Sequence, residues 1–130
     1  MEEVYNFIKM ADTYFLATVD GDKPKVRPFG SINIFDSKLY IETSKLKEVS
    51  KQIEKNPYVE LCALYEGKWL RLSGKLVRDE SLEAKESMFE NNPILKEFYK
   101  VDDAKTEVLY FENPTAIIYS FTDEAKKIKF

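Results

Sequence analysis

The chain has 130 residues, 44% of them hydrophobic and 14% aromatic, and a net charge of −3. This composition fits one globular domain over residues 1–130 and excludes a mainly disordered chain. With no histidine and one cysteine, the common zinc sites, iron–sulfur clusters and histidine-based catalytic triads are excluded, and we expect no metal site. The acidic balance argues against a nucleic-acid-binding protein.

No apolar run approaches the ~20 residues of a membrane-spanning helix. The opening Met1-Glu2-Glu3 is acidic where a signal peptide would be basic. We therefore expect a cytoplasmic protein that does not contact a membrane.

The first half of the chain predicts one helix, three strands and a second helix. Residues Val4, Phe7, Ile8 and Ala11 recur at helical spacing and indicate a short leading helix. The β-rich runs that follow predict a three-stranded antiparallel meander, with strands at Tyr14–Val19, Lys25–Phe35 and Lys38–Thr43. Helical spacing then returns, which predicts a helix from Ser44 to Lys55.

The second half predicts two hairpins with helices between them. Strands are expected at Tyr58–Tyr65 and Lys68–Arg78, on either side of a Glu66-Gly67 turn. Asp79–Asn91 is rich in helix-forming residues, and Asn92-Pro93 is typical of a cap and first position of another short helix. The Asn113-Pro114 pair predicts the turn of a last hairpin, between Thr106–Glu112 and Thr115–Phe121.

About seven antiparallel strands with short inserted helices predict a mainly β fold. A small closed or half-open barrel suits this count, because closure protects strand edges that a meander would expose. A sandwich is the alternative.

The junction around Thr43-Ser44-Lys45-Leu46-Lys47 is the first candidate binding site. If Ser44 caps the following helix, the free amide groups of the first helical turn suit a phosphate. Lysines at 45 and 47 are unfavourable near a helix N-terminus unless an anion is bound. The hydroxyls of Thr43 and Ser44, with Lys47, therefore form a candidate phosphate pocket. The alternative is an ordinary cap with two solvated lysines.

Arg27-Pro28-Phe29 is the second candidate. Proline cannot donate to a sheet, so Pro28 marks an edge, a bulge or a place where a ligand replaces the neighbouring strand. Arg27 could stabilise negative charge on a flat heterocycle. The alternative is a plain edge strand with a solvent-facing arginine.

Trp69 and Arg71 form the third candidate. Strand alternation puts them with Ser73 on one face and the neighbouring leucines on the other. Such a face suits an interface or a pocket wall, since tryptophan and arginine often anchor these surfaces. A half-exposed strand with Arg71 paired to a carboxylate is the alternative. Cys62 lies in an apolar strand and is predicted to be a buried structural thiol.

These segments in their order resemble the pyridoxamine 5′-phosphate oxidase-like superfamily of flavin-binding split barrels. The matching pieces are Thr43-Ser44-x-x-Lys47-Glu48-Val49, Lys51-Gln52-Ile53, Asn56-Pro57, Val59-Glu60-Leu61 and Trp69-Leu70-Arg71-Leu72-Ser73-Gly74. The resemblance runs from about Tyr14 to Tyr119 and is strongest to the small bacterial branch grouped with nitroimidazole-resistance proteins.

The resemblance implies a six- to seven-stranded antiparallel split β-barrel that forms a homodimer with FMN at the interface. By the same resemblance, the strand at Val26–Gly30 lies along the flavin ring and the Thr43–Lys47 turn holds the phosphate. The stretch Trp69–Ser73 would come from the second protomer. Arg27 or Arg71 would stabilise negative charge on the reduced flavin, and Trp69 or Phe29 would shape the substrate cavity.

The implied function is an FMN-dependent oxidoreductase acting on a small molecule such as a nitro-aromatic compound, with a nicotinamide nucleotide as the candidate electron donor. Trp69 stands where pyridoxamine phosphate oxidases have an amide, and the chain lacks their basic, histidine-containing substrate site; both differences argue against vitamin B6 as substrate. Alternatives are a non-catalytic flavin carrier or sensor, and a cofactor-free dimeric interaction domain. A bound deazaflavin and a bound haem are further alternatives, although the side chains that usually coordinate haem iron are scarce in this chain.

Overall fold

The structure, a computed structural model, describes residues 1–130 and contains eight strands, three α-helices and a short 3₁₀ helix. The helices are α1 (Glu2–Ala11), α2 (Glu48–Lys55), α3 (Leu82–Asn91) and the 3₁₀ helix Pro93–Glu97. The strands are β1 (Tyr14–Asp20), β2 (Lys23–Phe29), β3 (Asn33–Phe35), β4 (Lys38–Ser44), β5 (Tyr58–Tyr65), β6 (Lys68–Asp79), β7 (Thr106–Tyr119) and β8 (Lys126–Lys129). None of the helices is both long enough and apolar enough to cross a bilayer.

All strands belong to one antiparallel sheet. Its order is β2-β1-β5-β6-β7-β4-β3, and β8 pairs with the second half of β7. The mainly β, split-barrel prediction is confirmed. There are eight strands and not seven, because one predicted strand is two, two predicted strands are one, and the lysine-rich tail adds β8. Two packed sheets are not present, so the sandwich alternative is wrong.

The inner face of this sheet surrounds one large hydrophobic core. Eighteen buried residues contribute, including Leu16 of β1, Leu61 of β5, Leu72 of β6 and Leu109 of β7. Helix α1 adds Val4 and Ile8 to this core, which confirms the predicted amphipathic leading helix. A smaller cluster lies between β4, β7 and α3, and its members are Tyr40, Ala84, Met88, Phe89, Leu95 and Val108.

The predicted three-stranded meander is wrong. The segment Lys25–Phe35 is two strands, since β2 ends at Phe29 and β3 begins at Asn33. β2 pairs only with β1, whereas β3 pairs with β4 on the opposite side of the sheet. Pro28 has no amide proton to donate, and its edge position agrees with the sequence prediction. The break at residues 30–32 carries the chain from one sheet edge to the other.

The predicted last hairpin is also wrong. β7 runs without interruption from Thr106 to Tyr119, and Asn113-Pro114 is a bulge opposite Gly74. Asn113 adopts the left-handed conformation, with φ of 49°, which asparagine tolerates better than most residues. A bulge and a turn use the same local residue types, and only the long partner strand β6 distinguishes them. The actual last hairpin is β7 with β8.

Candidate functional site

A cavity of about 540 Å³ opens between the two edges of the sheet, within the size range of small-molecule sites. Four parts of the chain contribute to its lining. They are residues 27–31 of β2 and the following loop, four residues between the end of β4 and α2 (Glu42, Thr43, Lys47 and Val49), Asp12-Thr13, and five residues around the 3₁₀ helix (Asn92, Ile94, Leu95, Phe98 and Tyr99). Arg27, Pro28, Phe29, Thr43 and Lys47, five of the eight sequence-predicted site residues, lie in this lining.

Arg27 is held in place by two hydrogen bonds. Its Nη1 donates to the carbonyl oxygen of Leu16 at 2.9 Å, and its Nη2 donates to Oε1 of Gln52 at 2.9 Å. The same Gln52 oxygen accepts from the buried Thr18 hydroxyl at 2.6 Å. Burial lowers the pKa of Arg27, which reflects the cost of keeping a charge at this depth. The guanidinium has five N–H groups, so others are left for an anionic or polar ligand.

The turn after β4 differs from the predicted helix start. β4 continues to pair with β7 as far as Ser44 and Thr106, and the amide of Lys45 then donates to the carbonyl of Lys105 at 2.7 Å. These bonds keep the chain alongside β7 as far as Lys45, so α2 begins only at Glu48, with Lys47 as the N-cap. The predictions of a Ser44 N-cap and of Lys45 in the first helical turn are therefore wrong.

The hydroxyls of Thr43 and Ser44 have different surroundings. Ser44 lies outside the cavity lining, and its Oγ accepts from the amide of Leu46 at 3.2 Å. Thr43 lines the cavity, is 3% exposed, and its Oγ1 has no hydrogen-bond partner. A buried hydroxyl without a partner is costly to leave unsatisfied. Thr43, together with Lys47 at the entry to α2, is the part of the site best suited to an anion.

Glu42 is the residue that the sequence analysis missed. It is 6% exposed, lines the same cavity, and its Oε1 has no partner. Burial raises the pKa of Glu42 to about 7; Lys47 lowers it, while Asp103 and Glu107 raise it further. The one available sequence signal was a glutamate directly after the apolar run Leu39-Tyr40-Ile41 of a predicted strand, because buried carboxyl groups are rare.

The segment after α3 closes one side of the cavity. Asn92 is the N-cap of the 3₁₀ helix and Pro93 its first residue, as predicted. The Asn92 side chain makes no capping bond, and its amide donates instead to the carbonyl oxygens of Ile32 and Met88. This ties the 3₁₀ helix to the loop between β2 and β3. Ile94 and Phe98, 63% and 72% exposed, place apolar side chains at the cavity rim. No local sequence pattern indicates this contact, since it joins elements about sixty residues apart.

Trp69 and Arg71 lie elsewhere, on the outer face of the sheet. Leu70 and Leu72 point into the core, as the alternation predicted. Trp69 stacks on Tyr119 with ring centroids 5.5 Å apart, and Arg71 forms an ion pair with Glu60 at 2.8 Å. Neither residue lines the cavity around Thr43 within one chain.

Cys62 is half-buried on this outer face, between Phe15 and Arg71 of the neighbouring strands. The prediction of a buried thiol is therefore wrong. Burial raises the pKa of Cys62. The charge of Arg71 lowers this pKa and that of Glu60 raises it, and both effects are smaller than that of burial. The thiol is thus kept protonated, which is unlike a reactive cysteine.

Comparison with known proteins identifies the relatives of this architecture. The family model described as pyridoxamine 5′-phosphate oxidase matches residues 1–112. A NimC/NimA family protein from Clostridium acetobutylicum is 37% identical, with a TM-score of 0.97 over 100% of this chain and 92% of that one. No curated protein matches the sequence significantly.

More distant structures share the fold alone. A pyridoxamine 5′-phosphate oxidase-related, FMN-binding protein from Nostoc punctiforme is 14% identical, with a TM-score of 0.66 over 99% of this chain and 95% of that one. A heme-binding protein from Mycobacterium smegmatis is 12% identical, with a TM-score of 0.75 over 94% of this chain and 55% of that one. Proteins of this architecture thus bind chemically different cofactors, so a ligand must be argued from the site itself.

Proposed function

The chain belongs to the pyridoxamine 5′-phosphate oxidase family, and from that premise we propose that it binds FMN and transfers hydride to or from a small molecule. The observation that carries the proposal is the cavity in which Arg27, Phe29, Thr43 and Lys47 meet. One end of the cavity carries a cation and a hydroxyl group, which suit a phosphate. The other end is a strand edge with an aromatic side chain, which suits a planar ring.

The phosphate end consists of Thr43, Lys47 and the start of α2. The unpartnered Thr43 hydroxyl fits a phosphate oxygen acceptor. Lys47 supplies a cation, and the first amides of α2 have no partner within the helix, which favours an anion there. Val49 of the first turn lines the cavity, so this helix end is next to the proposed phosphate. Ser44 contributes through the turn that it stabilises and not through a direct contact.

The ring end consists of Arg27, Pro28 and Phe29. Phe29 packs beside Tyr14 with ring centroids 5.8 Å apart, and Tyr14 in turn donates to the carbonyl of Ser31 at 2.6 Å. The strand edge is therefore fixed by buried contacts. Bound flavin would supply the hydride chemistry, and the protein would supply position and charge. Arg27, held by Leu16 and Gln52, would stabilise negative charge on the ring.

We propose that the active form is a homodimer in which the outer face of the sheet is the interface. Phe15, Val26, Leu64 and Phe121 are 45%, 67%, 63% and 91% exposed. The register places Phe15 beside Cys62, Cys62 beside Arg71, and Leu64 beside Trp69, and cross-strand partners share a face. Several exposed large apolar side chains on one face are typical of an interaction site. Through it, Trp69 and Arg71 would reach the partner's cofactor.

The first test is an absorbance spectrum of the protein after incubation with FMN and gel filtration, read near ~450 nm. We expect one flavin per chain and loss of this absorbance when a nicotinamide nucleotide reduces it. Recovery of the absorbance on adding a nitro-aromatic compound would identify that compound as an acceptor. Lys47→Ala should weaken FMN binding at least about tenfold, as for loss of a charge-assisted contact. The matched control is Lys51→Ala, which removes an exposed lysine of α2 paired only with Glu48.

The same measurement separates the alternatives. Flavin that is retained but never reduced by a nicotinamide nucleotide would indicate a carrier or sensor. A dimeric protein that stays colourless with added FMN would indicate an interaction domain, which the exposed outer face also favours. Either result would overturn the oxidoreductase proposal.

A further inference from the structure

Glu42 is a carboxyl group buried in the cavity wall with one oxygen unsatisfied. The side chain is 6% exposed and Oε1 has no partner. Glu107, the other buried carboxyl group, contrasts with it, because Glu107 accepts from the Ser50 hydroxyl and is paired with Arg78. Glu42 has no comparable partner inside the protein, so its missing contact points to a ligand.

The charged surroundings of Glu42 are unfavourable to its ionised form. Lys47, before α2, is the one cation that acts on it, while Asp103, before β7, and Glu107 of β7 are anions. Tyr14 of β1 faces it as well, since the Glu42 charge contributes, after burial, to raising the pKa of that phenol. β3, the remaining neighbour of β4, carries no charged residue. Two carboxylates and burial therefore oppose ionisation, and one ammonium favours it.

The charge balance of the whole cavity also favours a neutral Glu42 when a phosphate is bound. Its charged lining residues are Asp12, Arg27, Glu42 and Lys47. With all four ionised, two cations balance two anions, and a phosphate dianion gains little net attraction. With Glu42 neutral, the cavity carries one net positive charge and presents a carboxylic O–H donor next to Thr43 and Lys47. A neutral carboxylic acid can donate to a phosphate oxygen, whereas a carboxylate can only accept.

We propose that Glu42 is a ligand-binding group that enters the phosphate complex as the neutral acid, so that the cavity takes up one proton with each phosphorylated ligand. This inference rests on the proposed function for its choice of FMN as ligand. The proton comes from solvent and bonds to a Glu42 carboxylate oxygen, and no other bond is made or broken. Glu42 thus makes affinity for the cofactor depend on pH.

The test is the FMN dissociation constant measured across about pH 6 to 9 by flavin fluorescence. Above the Glu42 pKa, wild-type affinity should weaken by up to about tenfold per pH unit. The phosphate of FMN titrates near pH ~6 and tightens binding as pH rises, so the two effects have opposite signs. Glu42→Gln keeps an N–H donor without a titrating proton and should bind with constant affinity over the upper range. Glu54→Gln, which changes an exposed glutamate of α2 outside the cavity lining, should follow the wild type.

Calorimetry in buffers of different protonation enthalpy counts the protons directly. We expect about one proton taken up per FMN by the wild type near pH ~8, none by Glu42→Gln, and none with riboflavin, which lacks the phosphate. This count needs no variant, so it decides the question even if Glu42→Gln fails to fold.

Three results would overturn the inference. FMN binding without proton uptake would reject it while leaving the proposed function intact. Equal proton uptake with riboflavin would reject the assignment to phosphate. Failure of both the wild type and Glu42→Gln to bind FMN at any pH would reject the inference and the proposed function together.

Discussion

Gln52 of α2 and Arg27 of β2 are joined by a hydrogen bond of 2.9 Å across the opening of the barrel. Gln52 is 8% exposed, and the same oxygen also satisfies the buried hydroxyl of Thr18. Gln52 therefore connects α2 to Thr18 of β1 and also positions Arg27, the arginine proposed to face the flavin ring.

Replacing Gln52 with alanine should reduce stability and FMN affinity together. The Thr18 hydroxyl would lose its partner, which costs about 1–3 kcal/mol, and Arg27 would lose one of its two anchors. Denaturant unfolding and FMN titration measure the two effects. Lys51→Ala, on the exposed side of the same helix, should change stability by less than about 0.5 kcal/mol. A Gln52→Ala protein with unchanged FMN affinity would show that Arg27 needs no positioning.

Replacing Thr43 with valine should separate stability from binding. The Thr43 hydroxyl has no partner in the protein, so removing it should leave stability unchanged or raise it by up to about 1 kcal/mol. FMN affinity should fall by about 5- to 30-fold, because the phosphate loses a donor. Parallel thermal melts and FMN titrations test this. Equal affinity in Thr43→Val and the wild type would remove Thr43 from the site.

Glu42 should make the stability of the free protein depend on pH. Burial raises its pKa from 4.5 to about 7 in the folded state, so between these values the folded chain holds a proton that the unfolded chain has released. The free energy of unfolding should therefore fall as pH rises through this window and level off above it. The total loss is up to about 3 kcal/mol. Glu42→Gln should remove this slope in denaturant titrations, while Glu48→Gln should keep it.

Gly74→Ala should disturb the bulge in β7. A Cβ at this position would lie 3.3 Å from Cδ1 of Phe111 and 3.3 Å from Cα of Pro114, closer than ordinary packing allows. We expect a loss of about 1–3 kcal/mol, typical of overpacking, measured by denaturant unfolding. Ser73→Ala, at the exposed neighbouring position, is the control. A stable Gly74→Ala protein would mean that the bulge adjusts without strain.

Leu64→Glu should disrupt the proposed dimer. Leu64 is 63% exposed in the single chain and lies beside Trp69 on the apolar outer face. A charge there should raise the dimer dissociation constant more than about tenfold, since a buried unpaired charge is costly. Sedimentation velocity measures the change. Leu82→Glu alters a leucine that is 48% exposed on α3 and should leave assembly unchanged.

Local patterns were sufficient for much of the fold. The leading helix and the β5–β6 hairpin were predicted because periodicity and the Glu66-Gly67 turn are encoded within a few residues. β7 was misread because Asn113-Pro114 suits a turn or a bulge equally, and the choice depends on Gly74 in another strand. The late start of α2 likewise depends on pairing between Ser44 and Thr106.

The same division holds for the site. Arg27 and Lys47 were found because their residue types are unusual beside a proline and at a helix entrance. Glu42 and Gln52 were missed because their roles come from burial and from contacts with distant strands. Ile94 and Phe98 reach the cavity only through the Asn92 contact with the loop after β2. Such contacts between distant segments cannot be predicted from the spacing of residues in the sequence.

β7 connects the two ends of the molecule by a single unbroken strand. Its first residues pair with the end of β4 near Thr43, and its last residues pair with β6 beside Trp69. Local opening at either end must therefore break a strand shared by both, so the cavity and the outer face should unfold as one cooperative unit. In native-state hydrogen exchange, the amides of Val108 and Ile117 should therefore give the same free energy of opening, equal to that of global unfolding.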